Sequence, residues 1–273
     1  MDLNAAQLAQ LDKENTFVIV PLGSVEQHGP HLPLGTKCYI AETVAFEAAA
    51  RLKKEGYGCL IAPIVPFMPC HTSAGFQGTY GIAPRTFSDA LYEIGSSISR
   101  DGFKNIAFVN LSISPDALKA VSVAVDDLNT LRDFRAIDPM PLWTFSRNEA
   151  LDTAINNLGL EPGNEVHADV KETSALLHLA PELVNEELAR LPSCSVNPAW
   201  EVLKGNFSFQ EMGSRDGYLG TPSLANLELG KLYVAEAAYA LAESIKFAAD
   251  GNAMPELPLQ IRMLLKMVDL DEM

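Results

Sequence analysis

The chain has 273 residues, 48% of them hydrophobic and 20% charged, enough for one α/β domain with a well-buried core. Its formal net charge of −15, with no basic cluster, speaks against nucleic acid or an anionic membrane surface as a partner. No apolar run reaches the roughly 18 residues of a membrane-spanning helix. The first residues lack the pattern of a signal peptide, and Cys38, Cys59, Cys70 and Cys194 lack Cys-x-x-Cys spacing, so a reduced, cytoplasmic protein is expected.

Residues 16–22 read as a buried strand, with Val and Ile between polar flanks. Just beyond them, the stretch from Val20 to Thr36 holds Glu26 and His28 two residues apart, then His31 after Gly29 and Pro30. Ligands in open α/β sheets sit beyond the carboxyl ends of strands, so a metal or substrate site is expected here. A polar turn whose histidines satisfy backbone groups is the other reading of the same residues. Residues 40–54 read as a helix stopped by Gly56, and 59–67 as a second strand. Cys70 lies beside His71, but neighbours in an extended segment point opposite ways, so the two are not expected to pair.

Helix 85–100, strand 104–109 and helix 115–131 follow, the last with Ser114 as N-cap, Pro115 at its first position and Asp116 in its first turn. Residues 141–145 are a candidate fourth strand, 172–179 a short helix and 222–249 a long one. The β-α-β-α order implies a three-layer α/β/α architecture around a mostly parallel sheet, in a single domain over 1–273. Segment 185–218 is the least regular and reads as a lid, an inserted loop or a subunit contact.

The run Glu26-Gln-His-Gly-Pro-His-Leu-Pro-Leu-Gly-Thr36 resembles the first motif of the creatininase (creatinine amidohydrolase) family, E-Q-H-G-P-H-L-P-L-G-T-D, except that Lys37 stands where the family has aspartate. His167-Ala-Asp-Val-Lys-Glu-Thr-Ser174 resembles its H-A-G-x-x-E-T-S, with Asp169 replacing the glycine. Gly217 to Gly230 keeps most of a fourth motif, and His71 to Thr79 resembles the substrate-side loop. The second motif is lost: its histidine aligns with Ser112 and its glycines with Leu111, Ile113 and Ser114. The resemblance spans residues 16–245 and implies the family's fold, a homo-oligomer (hexamers in the family) and metal-assisted hydrolysis of a C–N bond in a small or cyclic amide. It implies a divalent cofactor, zinc or manganese, with Glu26, His28 and Glu172 as surviving ligands and His167 as the remaining proton-transfer residue. His31, Lys37, His71, Ser112 and Asp169 would line the pocket.

The missing aspartate bridges the two ions in the family, and a lysine cannot. Two unit charges 4 Å apart interact by about 4 kcal/mol at an effective dielectric near 20, and a dication facing an ammonium feels roughly twice that repulsion. Three readings of Lys37 follow: its ammonium replaces the lost cation between Glu26 and Glu172, it swings to solvent, or a single ion persists on Glu26, His28 and Glu172 with help from His167. Two function classes remain, a hydrolase with altered or metal-poor chemistry and a non-catalytic relative that binds a small ligand or partner in the old pocket.

Overall fold

The computed structural model describes residues 3–271. Four strands form one parallel sheet in the order β2-β1-β3-β4: β1 Thr16–Leu22, β2 Gly58–Ile61, β3 Asn105–Asn110 and β4 Arg135–Ile137. The helices are α1 Ala5–Leu8, α2 Thr36–Lys54, α3 Pro84–Arg100, α4 Pro115–Leu128, α5 Met140–Thr144, α6 Glu149–Asn157, α7 Val170–Leu179, α8 Pro198–Leu203, α9 Leu227–Ala249 and α10 Leu259–Met267.

Period-two alternation in β1 builds the two faces. Phe17 and Ile19 point into a core shared with α2, α5, α6, α7 and α9. Val18, Val20 and Leu22 point the other way, into a core shared with α3, α4 and Leu270. Both faces of the central strands are thus covered, which is why β1 and β3 are buried at every position. The expected three-layer architecture is present. Helix α9 packs so closely on α7 that a Cβ added at Gly230 would fall 1.9 Å from the Ser174 carbonyl oxygen. Gly230→Ala is therefore expected to cost about 1–3 kcal/mol by forcing the helices apart, read as a lowered denaturation midpoint.

Several boundaries differ from the sequence reading. Strand β2 stops at Ile61 because Pro63 and Pro66 cannot donate to a ladder; a single bridge, Leu22 to Val65, continues the pairing. Residues 141–145 are not a strand: 141–144 lie in α5, with Pro141 in its first turn and Phe145 as its C-cap, and the fourth strand is the preceding Arg135–Ile137. The long C-terminal helix begins at Leu227, capped by Asn226, after a 3₁₀ turn at Pro222–Leu224.

The open edge of β4 is closed by a side chain. Asn129 accepts from the Ala136 N–H at 2.9 Å and donates to its carbonyl at 3.0 Å, occupying the groups another strand would use. The first crossover places β2 on one side of β1, and the next places β3 on the other. The crevice beyond Leu22 and Asn110 is therefore the switch point of the sheet, and both loops that leave these strands carry polar residues.

Candidate functional site

Glu26 lies in the loop after β1, 3% exposed, with both carboxylate oxygens engaged. Oε2 accepts from Lys37 Nζ at 2.9 Å and from Ser24 Oγ at 3.0 Å; Oε1 accepts from Ser73 Oγ at 2.6 Å. Burial would raise its pKa, but Lys37, then His167, His28 and Ser73, hold it well below the usual carboxylate range. Lys37 is itself only 6% exposed, so the reading that it swings to solvent is overturned. Burial works against its charge, yet Glu26 first and Glu172 next hold the ammonium above the ordinary lysine value.

The position of Lys37 makes this pair informative. It is the second residue of α2, at the positive end of the helix dipole, where an anion is favoured and a cation is not. The contact with Glu26 is what stabilises an ammonium there.

His28 and His167 stack obliquely, with ring centroids 4.4 Å apart. His28 donates from Nδ1 to the Glu26 carbonyl at 2.7 Å, and His167 donates from Nε2 to the Gln27 carbonyl at 2.8 Å. Carbonyls only accept, so these contacts set both tautomers and leave His28 Nε2 and His167 Nδ1 as lone-pair donors. The two nitrogens lie 3.8 and 3.9 Å from the same oxygen, Glu172 Oε2. Burial pushes both imidazoles down to about 4; the Glu26 carboxylate opposes this and the Lys37 ammonium assists it. Both are therefore neutral at neutral pH. His28 Nε2 is buried with no hydrogen-bond partner among the described residues.

The third-motif loop holds Glu172 in place. Ala168 adopts φ +45°, a left-handed conformation that is costly for a side-chain-bearing residue, and this turns its N–H onto Glu172 Oε2 at 2.7 Å. The substitution of Asp169 for glycine does not spoil the loop: its Oδ1 accepts the Lys171 and Glu172 N–H groups and caps α7. Phe209, from the irregular 185–218 segment, stacks on His167 at 4.6 Å and closes the cluster from above.

The remaining expected pocket residues lie close by in different roles. His31 pairs through Nε2 with Thr173 Oγ1 at 2.9 Å, edge-on to Tyr218, and burial lowers it to about 4. Ser112 is 4% exposed and spends its hydroxyl on the Ser114 N–H at 3.2 Å, bracing its own loop. Ser114 occupies the N-cap position of α4, but its hydroxyl turns to Asp116 instead of capping. His71 donates from Nδ1 to Asp116 Oδ2 at 2.5 Å, and the adjacent Cys70 thiol points to the Met68 carbonyl, so the two neighbours do not pair.

A family model described as creatininase, creatinine amidohydrolase, matches residues 1–245. The chain belongs to the creatininase family. It is 30% identical over 244 residues to a mycofactocin precursor peptide peptidase of Mycobacterium ulcerans (strain Agy99), with 86% of each chain covered. It is 22% identical over 247 residues to the creatinine amidohydrolase of Pseudomonas putida, covering 87% of this chain and 92% of that one. A solved structure described as creatininase Mn has the same fold, at TM-score 0.72 and 20% identity, with 90% of this chain and 96% of the other covered.

Creatininases with manganese, and a mutant of Zn-Zn type, have been solved, so a divalent ion fits the family. The donors here can be tested against one. Glu26, His28 and His167 each offer a ligand atom within 4.8 Å of the others, and Glu172 Oε2 faces both imidazoles. Each imidazole ties its other nitrogen to a backbone carbonyl, the outer arrangement that metal-bound histidines favour. This mixed N/O set, with an orphaned buried nitrogen beside it, is chemically suited to a divalent ion. Sequence reasoning missed Ser24, Ser73 and Phe209, whose residue types carry no distinctive signal, and noted Asp116 only as a helix-start acid.

Proposed function

We propose that this creatininase-family chain is a one-ion amidohydrolase in which Lys37 occupies the place of a second cation. His28, His167 and Glu172 would hold the ion, with Glu26 shared toward Lys37. The observation that carries this reading is the pair of buried, neutral imidazoles whose fixed tautomers aim two lone pairs at one carboxylate oxygen. A divalent ion held there supplies Lewis acidity to an amide carbonyl and lowers the pKa of water.

The chain's own groups supply the rest. The Glu26–Lys37 pair fixes a positive end beside the cleft without mobile counterions, and Phe209 keeps water from the stacked imidazoles. In this arrangement His167 would serve as an ion ligand rather than as the free proton carrier, because Nε2 is held by the Gln27 carbonyl and the Nδ1 lone pair would go to the ion.

The relatives' names span a peptide precursor and creatinine, whose shared feature is an amide-type C–N bond. Within that class we favour a peptide. Trp200, Leu203 and Phe207 stand exposed on the segment that carries Phe209, apolar side chains that a peptide could meet beyond the scissile bond. Metal content tests the reading: purified protein given zinc or manganese should retain about one ion per chain by elemental analysis, and His28→Ala should retain none. Two ions per chain, or none in the parent protein, would contradict it; the latter outcome fits a non-catalytic binding relative.

A further inference from the structure

Hydrolysis of an amide requires that the leaving nitrogen receive a proton. The groups already described are poorly suited to deliver one. His28 and His167 each spend one ring nitrogen on a backbone carbonyl and aim the other at Glu172, His31 is paired with Thr173, and Lys37 is bound to Glu26.

The turn His71–Ser73 places a different group next to residues that touch Glu26 and Phe209. Its last residue, Ser73, donates to Glu26 Oε1 at 2.6 Å, and its middle residue, Thr72, accepts the Phe209 N–H at 2.8 Å while the Phe209 ring lies on His167. His71 therefore stands one short turn from the acid and one residue from the contact that seats Phe209. Its Nδ1 donates to Asp116 Oδ2 at 2.5 Å, and its backbone N–H reaches the same oxygen at 3.3 Å. Asp116 is 3% exposed and takes a further hydrogen bond from Ser114 Oγ on its other oxygen. The His71 side chain remains 44% exposed, and Nε2 has no partner among the described residues.

We propose that His71, oriented by Asp116, is a catalytic proton-transfer residue of this cleft. The proposal rests on the hydrolytic reading above. Asp116 fixes the tautomer and leaves Nε2 free on a half-exposed ring, the arrangement by which a buried carboxylate prepares an imidazole for acid–base work. The hydrogen bond to Asp116 raises the His71 pKa from its ordinary value, which favours the protonated ring. Burial pushes Asp116 up, but the bonds from His71 and Ser114 keep it below the usual carboxylate range. Asp116 on α4 is the charged group that faces the ring; Cys70 on the same turn keeps its proton because burial raises its pKa, and Glu26 is turned to Ser73 and Lys37. In the reaction the oxygen of water bonds to the carbonyl carbon and the C–N bond breaks with its electron pair on nitrogen. The Nε2 proton fills that pair, and the proton released by the water restores His71.

The test uses the metal-supplemented full chain with a panel of dipeptides, acyl amides and creatinine, each followed by chromatography. His71→Gly is expected to lower kcat by about 10²–10⁴-fold with little change in KM or metal content. Added imidazole is expected to restore part of the rate, which a structural role would not predict. Asp116→Asn should shift the ionisation in the pH–rate profile downward. Because a glycine could loosen the turn, His71→Gln is measured alongside and should lose activity with an unchanged melting temperature. If His71→Gln keeps its rate within about threefold while His28→Ala is inactive, the assignment of His71 is wrong and the metal reading stands. If the parent protein cleaves nothing on the panel and binds no ion, the hydrolytic reading fails and the role of His71 falls with it.

Discussion

Lys37→Met is expected to destabilise the fold by about 3–5 kcal/mol, the cost of leaving one partner of a buried ion pair uncompensated. For a chain of this length that is a fall of roughly 6–20 °C in melting temperature. The reason lies in what surrounds Glu26. Its carboxylate is 3% exposed, and of its three donors only Lys37 carries a formal charge. Removing the ammonium leaves Ser24 and Ser73 to hold a buried anion. Glu26→Gln is expected to cost a similar amount for the opposite reason, since it strands an ammonium at the N-terminus of α2. The double variant Glu26→Gln with Lys37→Met should then be less damaged than the sum of the singles, and the coupling in that cycle measures the pair. A Lys37→Met protein melting within about 2 °C of its parent would mean that the ammonium is not held by Glu26 in solution.

What the sequence revealed follows from distance along the chain. Glu26, His28 and Lys37 fall within 12 residues of one another in a single motif, so the exchange of an anion for a cation could be read directly. The fold was legible for a related reason: β1 and β3 are buried on both faces and read as continuous apolar runs between helices. The short elements were harder. Strand β4 has three residues and α5 five, too few to show a period, and the proline at 141 suits both a strand edge and a helix start.

The partners of the site were illegible because they are tertiary. Asp116 meets His71 across 45 positions, and Ser73 meets Glu26 across 47. A residue read as a helix-start acid thus orients an imidazole on another loop. Asp169 was legible as a departure from the family pattern but not in its consequence. A glycine there would leave the first turn of α7 uncapped, whereas the aspartate satisfies two of its N–H groups while Ala168 takes the strained conformation.

The exchange at position 37 also predicts a reversal. Lys37→Asp combined with Ser112→His is expected to raise the metal content from about one ion per chain to about two. The charge term dominates: removing the ammonium relieves roughly 8 kcal/mol of repulsion toward a dication, several powers of ten in affinity. A carboxylate at the start of α2 is moreover favoured by the helix dipole, where lysine is not, and a bridging carboxylate is what holds two ions about 3.5–4 Å apart. Ser112→His contributes a ligand from the end of β3 but gives up the hydroxyl that braces the Ser114 N–H, so on its own it should gain little. Lys37→Asp alone should recover more. It also sets a second acid beside Glu26 with no cation between them, so the metal-free variant should melt well below the parent and rise steeply when zinc or manganese is added. This dependence separates the two roles of Lys37: a lysine that only fills space would leave its replacement indifferent to metal, whereas one that stands for a cation leaves a vacancy that only a cation can fill.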